Sequence, residues 1–337
     1  MAGCTMPERL TFDAGTFRDN AVMPMTPAAK AQLQIHFCVV LWGFTAILGK
    51  LITLPALPLV WWRMLIVVAA LALIPRVWRG LRTMPRRLAL SYCGIGVLVA
   101  LHWLTFYGSI KLSNASVGAT CIALATVFTA LIEPWLARTR LSKRELALGV
   151  AVLPGVALVV GGVPQGMRMG IAVGAISALF VALFSSLNKR LVSQGDPLTV
   201  TALELGAGTL ALTLLAPVMP FVFPDFAGAL LTVPGTRDAL YLLALALVCT
   251  LLPFALSLVA LRHMSAFSAQ LAVNLEPVYA IILAIVLLNE QRELTSQFYA
   301  GVAIILLAVL VHPLISGRRR IEHPEMLGTS EAKGIAD

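Results

Sequence analysis

The stretch SAFSAQLAVNLEPVYAIILAIVLL, Ser265–Leu288, is long enough to cross a bilayer and holds one acidic side chain, Glu276, and no basic one. About 20 apolar residues span the roughly 30 Å hydrocarbon core as a helix. A carboxylate inside such a run is costly unless it faces a cavity or a partner, so this segment reads both as a membrane helix and as a pointer to a site. Pro277 follows Glu276; it lacks an amide donor and frees a carbonyl upstream.

Similar runs recur outward from here, between about Ile35 and His312. They predict ten spans: Ile35–Leu54, Leu59–Val77, Leu88–Ile110, Ala115–Leu136, Glu145–Gly162, Met169–Leu187, Leu198–Pro217, Ala239–Ala260, Ser265–Leu288 and Leu294–His312. Helices are required, because lipid cannot satisfy open backbone groups. Only 12% of the 337 residues are charged and 59% are hydrophobic. Soluble domains average about 25% charged, so composition overrules the two soluble domains that length alone would suggest. Residues 1–32 and 314–337 are polar and are expected to be disordered cytoplasmic tails, with no cleavable signal peptide. The connection from Met219 to Asp238, with three phenylalanines, is expected to lie on the membrane surface and carries no catalytic signature.

Charge sets the orientation. With a cytoplasmic N-terminus, 19 of the 25 Lys and Arg fall on the inside; the exceptions are Lys50, Arg63, Lys111, Arg168, Arg237 and Arg292. One span more or fewer would invert every later loop, so the positive-inside rule supports an even count with both termini cytoplasmic. The net charge of +9 records this topology rather than nucleic-acid binding. Five dispersed cysteines show no disulfide or metal spacing and read as small core hydrophobes. No GxxxxGK[ST] sequence is present, which argues against direct ATP use, and no cofactor is expected.

The halves resemble each other. KLSNAS (Lys111–Ser116), leading to TVFTALI (Thr126–Ile132), matches RHMSAF (Arg262–Phe267), leading to PVYAIIL (Pro277–Leu283), at an offset of 151 residues. GFTAILGK (Gly43–Lys50) matches ALFSSLNK (Ala182–Lys189) at 139. Chance similarity between apolar segments is the bland alternative, but the matches fall at equivalent span positions. Five spans per half is odd, so the second half must be inverted relative to the first, a plan of secondary transporters with the site between the halves.

These residues also carry a family resemblance. LWGFTAILGK in the first span, WWRML (Trp61–Leu65), ALHWLTFYGSIKLSNAS (Ala100–Ser116) and LEPVYAIILAIVLLNE (Leu275–Glu290) resemble the EamA branch of the drug/metabolite transporter superfamily, across residues 35–313. The resemblance implies an all-α membrane protein of ten helices in two inverted five-helix repeats, 33–163 and 168–313, with a substrate cavity between them. It implies cargo among amino acids, sugars, metabolites and drugs. One departure stands out: Thr126 occupies a position where the family often has proline, and Pro134 comes later, so the kink of the fourth span is expected to have moved or vanished.

The site candidates are polar or aromatic residues inside spans. Glu276, with Asn274 and Gln270, reads as a carboxylate for a proton or a cationic substrate group, or else as a structural carboxylate. Glu204 has a weaker claim of the same kind. Arg63, close to the outer end of its span, reads as a snorkelling anchor. His102 and Phe106, like Trp103 and Tyr107, are four apart and share a helix face; they form a substrate-stacking surface or ordinary packing. Trp42 carries the first-span motif and an indole N–H that needs a partner. Ser185, Ser186 and Asn188 offer hydrogen bonds to substrate or between helices. Lys50, Lys111, Lys189 and Arg262 cap spans as anchors, Glu290 and Glu293 read as helix-end residues, and Gly170 and Gly174 allow close helix approach.

The leading functional class is a secondary transporter of a small molecule in the cytoplasmic membrane, working by alternating access, with export coupled to protons as one form and uncoupled facilitation as another. A membrane-embedded enzyme would need clustered His, Asp or Glu, whereas the five histidines are scattered; a non-transporting sensor or scaffold would be expected to carry a soluble domain. The expected partners are the substrate, a coupling proton and lipid. A homodimer is left open.

Overall fold

A computed structural model of the chain describes residues 26–136, 142–273 and 275–315, and every regular element among them is a helix. Helix α1 (Pro27–Leu51) starts where the Thr26 hydroxyl accepts the Ala29 N–H at 3.2 Å and Pro27 takes the first turn, a favourable N-terminal pair. The first span therefore starts ahead of Ile35, and the polar tail stops short of residue 32. Tail residues 1–25 and 316–337 lie outside the described residues, as do Arg138 and Arg140.

The second span also departs from expectation. Helix α2 (Ala56–Ala72) stops five residues before Val77, and α3 (Pro75–Thr83) continues at 92° to it. Pro75 disfavours helical geometry in the residue before it and cannot donate to the preceding turn. After α3 come α4 (Arg86–Leu112), α5 (Ala115–Cys121), α6 (Leu124–Leu136), α7 (Lys143–Gly161), α8 (Arg168–Leu191) and α9 (Pro197–Leu215). A short α10 (Met219–Val222) precedes α11 (Thr236–Leu243), a π-helical stretch Ala244–Leu251, and α12 (Leu252–Ala260). Helices α13 (Ala266–Val273), α14 (Glu276–Leu288) and α15 (Ser296–Ile315) complete the chain.

Seven helical stretches are long and apolar enough to cross a membrane, and the bent α2–α3 pair makes an eighth. The α5–α6 and α13–α14 pairs each count as one crossing, broken in the middle. The break between α5 and α6 falls at Ile122 and Ala123, where no proline stands. Backbone bonds there run three residues back, from Ile122, Ala123, Ala125 and Thr126, tightening the chain into 3₁₀-like turns.

Reciprocal contacts join the halves. α1 packs on α12 and α14, while α8 packs on α4 and α6; α2 meets α9, and α7 meets α15. The broken helices cross so that α5 touches α14 and α6 touches α13. Their ends are tied by exchanged carboxylates. Glu290 accepts the Ala115 and Ser116 N–H groups (both 3.0 Å) and the Ser116 hydroxyl (2.7 Å) at the start of α5. Glu133 accepts the Ala266 and Phe267 N–H groups (3.0 and 2.6 Å) at the start of α13. The span-end cations pair likewise: Lys50 donates to the Ser113 carbonyl and Lys111 to that of Ile52, while Lys189 donates to the Leu261 carbonyl and Arg262 to that of Val192. These cations do more than anchor helix ends in lipid, because each ties two neighbouring helix ends together.

The Met219–Asp238 connection is not wholly superficial. Phe221 is exposed, but Phe226 is buried against the Gly108 backbone, and its carbonyl accepts the Leu57 N–H at 3.1 Å. Asp238 is buried and accepts the Thr53 N–H and hydroxyl. Helices α4 and α9 approach closely at Gly96, where an added Cβ would fall on the Glu204 backbone carbonyl. Backbone cannot yield as a side-chain tip can, and overpacking costs about 1–3 kcal/mol or more. Gly96→Ala is therefore expected to lower the melting temperature in detergent, whereas Gly94→Ala, whose Cβ meets open space, should leave it unchanged.

Candidate functional site

A cavity of about 100 Å³ lies between the halves. Trp42 and Thr45 of α1, Arg63 of α2, and His102, Trp103 and Phe106 of α4 form one side. Phe184, Ser185 and Asn188 of α8, Phe254 and Ser257 of α12, Gln270 of α13 and Glu276 of α14 form the other. Aromatic and aliphatic side chains with polar groups set among them are the usual constitution of a small-molecule site.

Arg63 is placed differently from expectation. It is not a snorkelling anchor: only 2% of it is exposed, and it faces the cavity. Its Nε donates to the Thr250 hydroxyl at 2.6 Å and Nη1 to the Tyr107 hydroxyl at 2.8 Å. Its guanidinium lies 3.8 Å from the centre of the Trp103 ring, close enough for a cation–π contact. The π-helical stretch contributes to this arrangement by carrying Thr250, whose own hydroxyl donates to the Leu245 carbonyl at 2.6 Å. Two hydroxyl acceptors thus fix the guanidinium's orientation.

Glu276 also lines the cavity and is 6% exposed. Among the described residues the ion pair formed is the surface contact Arg76–Asp196. Arg63 and Glu276 therefore share one cavity without closing on each other. That leaves both available to a bound solute.

The other candidates separate. Gln270, Trp42, Trp103, His102, Ser185 and Asn188 face the cavity. His102 Nδ1 lies 2.8 Å from the Ser177 hydroxyl, and its ring sits between those of Phe106 and Phe184. Tyr107 acts behind the wall, holding Arg63. Ser186 is buried away from the cavity, and Glu204 lies behind Asn188. Asn274 lies outside the described residues. Glu290 is not at the cavity. Among the described residues no group of three or more His, Cys, Asp and Glu is placed to hold a metal.

Two segments, 30–161 and 168–312, each match the profile of the EamA-like transporter family. The chain belongs to that family. It is a multi-pass membrane protein, and the resemblance carried by Leu41–Lys50, Trp61–Leu65, Ala100–Ser116 and Leu275–Glu290 holds. Among curated proteins none matches the sequence. A solved crystal structure of a protein has the same fold, with a TM-score of 0.61 at 17% identity over 87% of this chain and 98% of the other.

Proposed function

We propose that this EamA-family protein is a secondary transporter that carries a small organic solute bearing charge, by alternating access through the cavity between its halves. The observation that carries this reading is the pair Arg63 and Glu276, a guanidinium and a carboxyl group that face one cavity between the halves without pairing with each other. Counting the two shorter apolar helices, Gly149–Gly161 and Ser296–Ala308, with the eight longer ones gives ten crossings and both termini on one side, the cytoplasmic side by the positive-inside rule. The exchanged Glu133 and Glu290 contacts support two inverted repeats, because each half uses the same device on the other. The aromatic rings take the apolar body of the solute, Arg63 an anionic group, and Glu276 a cationic one.

The test is reconstitution. The purified protein is screened for thermal stabilisation by amino acids, sugars and cationic and anionic drugs, and each stabilising compound is followed as flux into proteoliposomes with and without a proton gradient. Saturable flux supports the reading; stabilisation without flux would favour a sensor. Glu276→Gln removes one charged contact, a loss of about 1.5–3 kcal/mol, or tenfold or more in affinity. It is expected to leave expression intact and to weaken flux of a compound with a cationic group. Unchanged flux of such a compound would remove Glu276 from the site.

A further inference from the structure

Glu204 and Asn188 present two halves of an unfinished hydrogen-bonded ring. Glu204 is fully buried, and the Asn188 amide donates from Nδ2 to its Oε2 at 3.4 Å. Glu204 Oε1 and Asn188 Oδ1 are both buried without a hydrogen-bond partner. As a carboxylate and an amide, the pair has three acceptor oxygens and one donor group to serve them. One more hydrogen completes it: a carboxylic O–H at Oε1 donates to Oδ1, and Nδ2 donates back to Oε2.

No neighbouring cation does the same work. Tyr92 faces Glu204 from α4 but donates its hydroxyl to the Leu191 carbonyl at 2.8 Å. On α2, Arg63 is held by Thr250 and Tyr107. On α3, Arg76 pairs with Asp196, and the remaining arginines are exposed. On α8, Lys189 is held by the Leu261 carbonyl and Arg190 is exposed. Helix α12 has no ionisable side chain, and Arg262 beyond its end is held by the Val192 and Gly195 carbonyls. A buried carboxylate left with one long bond to a neutral amide is costly.

We propose that Glu204 and Asn188 form a proton-binding site, with one proton held between Oε1 and Oδ1 behind the cavity wall. Asn188 also lines the cavity, which gives the proton an exit. A solute that takes the Asn188 amide as its own hydrogen-bond partner opens the ring, and Glu204 passes its proton to cavity water, becoming a carboxylate. The next proton restores the ring and displaces the solute's contact. This exchange rests on the transport reading; the proton site itself does not.

The test is an infrared spectrum of the purified protein in liposomes at neutral pH. The expected result is a deuterium-sensitive carbonyl band of a buried neutral carboxylic acid, reduced by one carboxyl in Glu204→Gln. Asn188→Ala should shift that band to the frequency of a less hydrogen-bonded carbonyl. Glu204→Gln is expected to fold, because a glutamine amide supplies the missing donor; a wild-type melting curve checks this. The proposal is overturned if Glu204→Gln leaves the band unchanged. It is also overturned if sodium stabilises the wild type but not Glu204→Gln while no acid band is lost, which would assign the oxygens to a metal cation. Absence of flux with the acid band intact would count against transport and leave the proton site standing.

Discussion

Arg63→Gln is expected to lower the affinity of any anionic or zwitterionic solute about a hundredfold or more. A bidentate contact from guanidinium to carboxylate comprises two hydrogen bonds to a charged group, each contributing about 1.5–3 kcal/mol. Losing both costs at least about 3 kcal/mol, and 1.4 kcal/mol is tenfold. Arg63→Lys is the sharper variant, because it keeps the charge. It loses the planar fork that bonds Thr250 and Tyr107 together and the stack on Trp103, so it is expected to lose most of the affinity as well. Tyr107→Phe keeps Arg63 but removes one of its two orienting bonds, and should give a loss of intermediate size. Affinity is measured by titration and by flux at matched expression. Wild-type flux of an anionic compound in Arg63→Lys would return Arg63 to a structural role, and a fall in melting temperature with flux preserved would do the same.

Arg63 also marks where sequence reading reached its limit. Its nearness to the predicted end of a span made snorkelling the natural expectation, since a long cation there reaches the headgroups. The structure shortens the second span at Pro75 and starts it at Ala56, which moves Arg63 inward. Its partners Thr250 and Trp103 come from other helices, and no spacing within WWRML signals them. The phenol of Tyr107 was visible as part of an aromatic face, but its use as a clamp was not. Glu276 was legible because a carboxylate within an apolar run stands out in one dimension. The break near Ile122 was not, because it rests on backbone turns rather than on proline. The span positions were legible to within a few residues at α4, flanked by Arg86 and Arg87 and by Lys111 to Ser116, and at α9, where Asp196 and Pro197 mark the start and Pro217 the end.

The exchanged carboxylates are the part of the fold least visible in sequence and the part with the largest expected effect on stability. Glu290→Ala strips the Ala115 and Ser116 amides and the Ser116 hydroxyl of their acceptor. Each buried donor left unsatisfied costs about 1–3 kcal/mol, and the negative charge at the start of α5 is lost with them. The expected destabilisation is about 3–5 kcal/mol. Glu133→Ala leaves two amides at the start of α13 unsatisfied and should cost less, about 2–4 kcal/mol. The readout that separates a local latch from general damage is hydrogen exchange. In Glu290→Ala, exchange should rise at Ala115 and Ser116 and stay slow at Ala266 and Phe267; in Glu133→Ala the pattern should reverse. The two contacts lie at the starts of helices from opposite halves. If the halves rock against each other, one contact must loosen while the other holds. A variant lacking one carboxylate is then biased toward the state in which that contact is open. A double variant that restores the wild-type balance of exchange between the two sites, at lower total stability, would be the signature of that opposition. Exchange at the intact site that stays at its wild-type rate in both single variants would mean that the contacts are independent caps, whereas equal exchange at both sites would mean general damage.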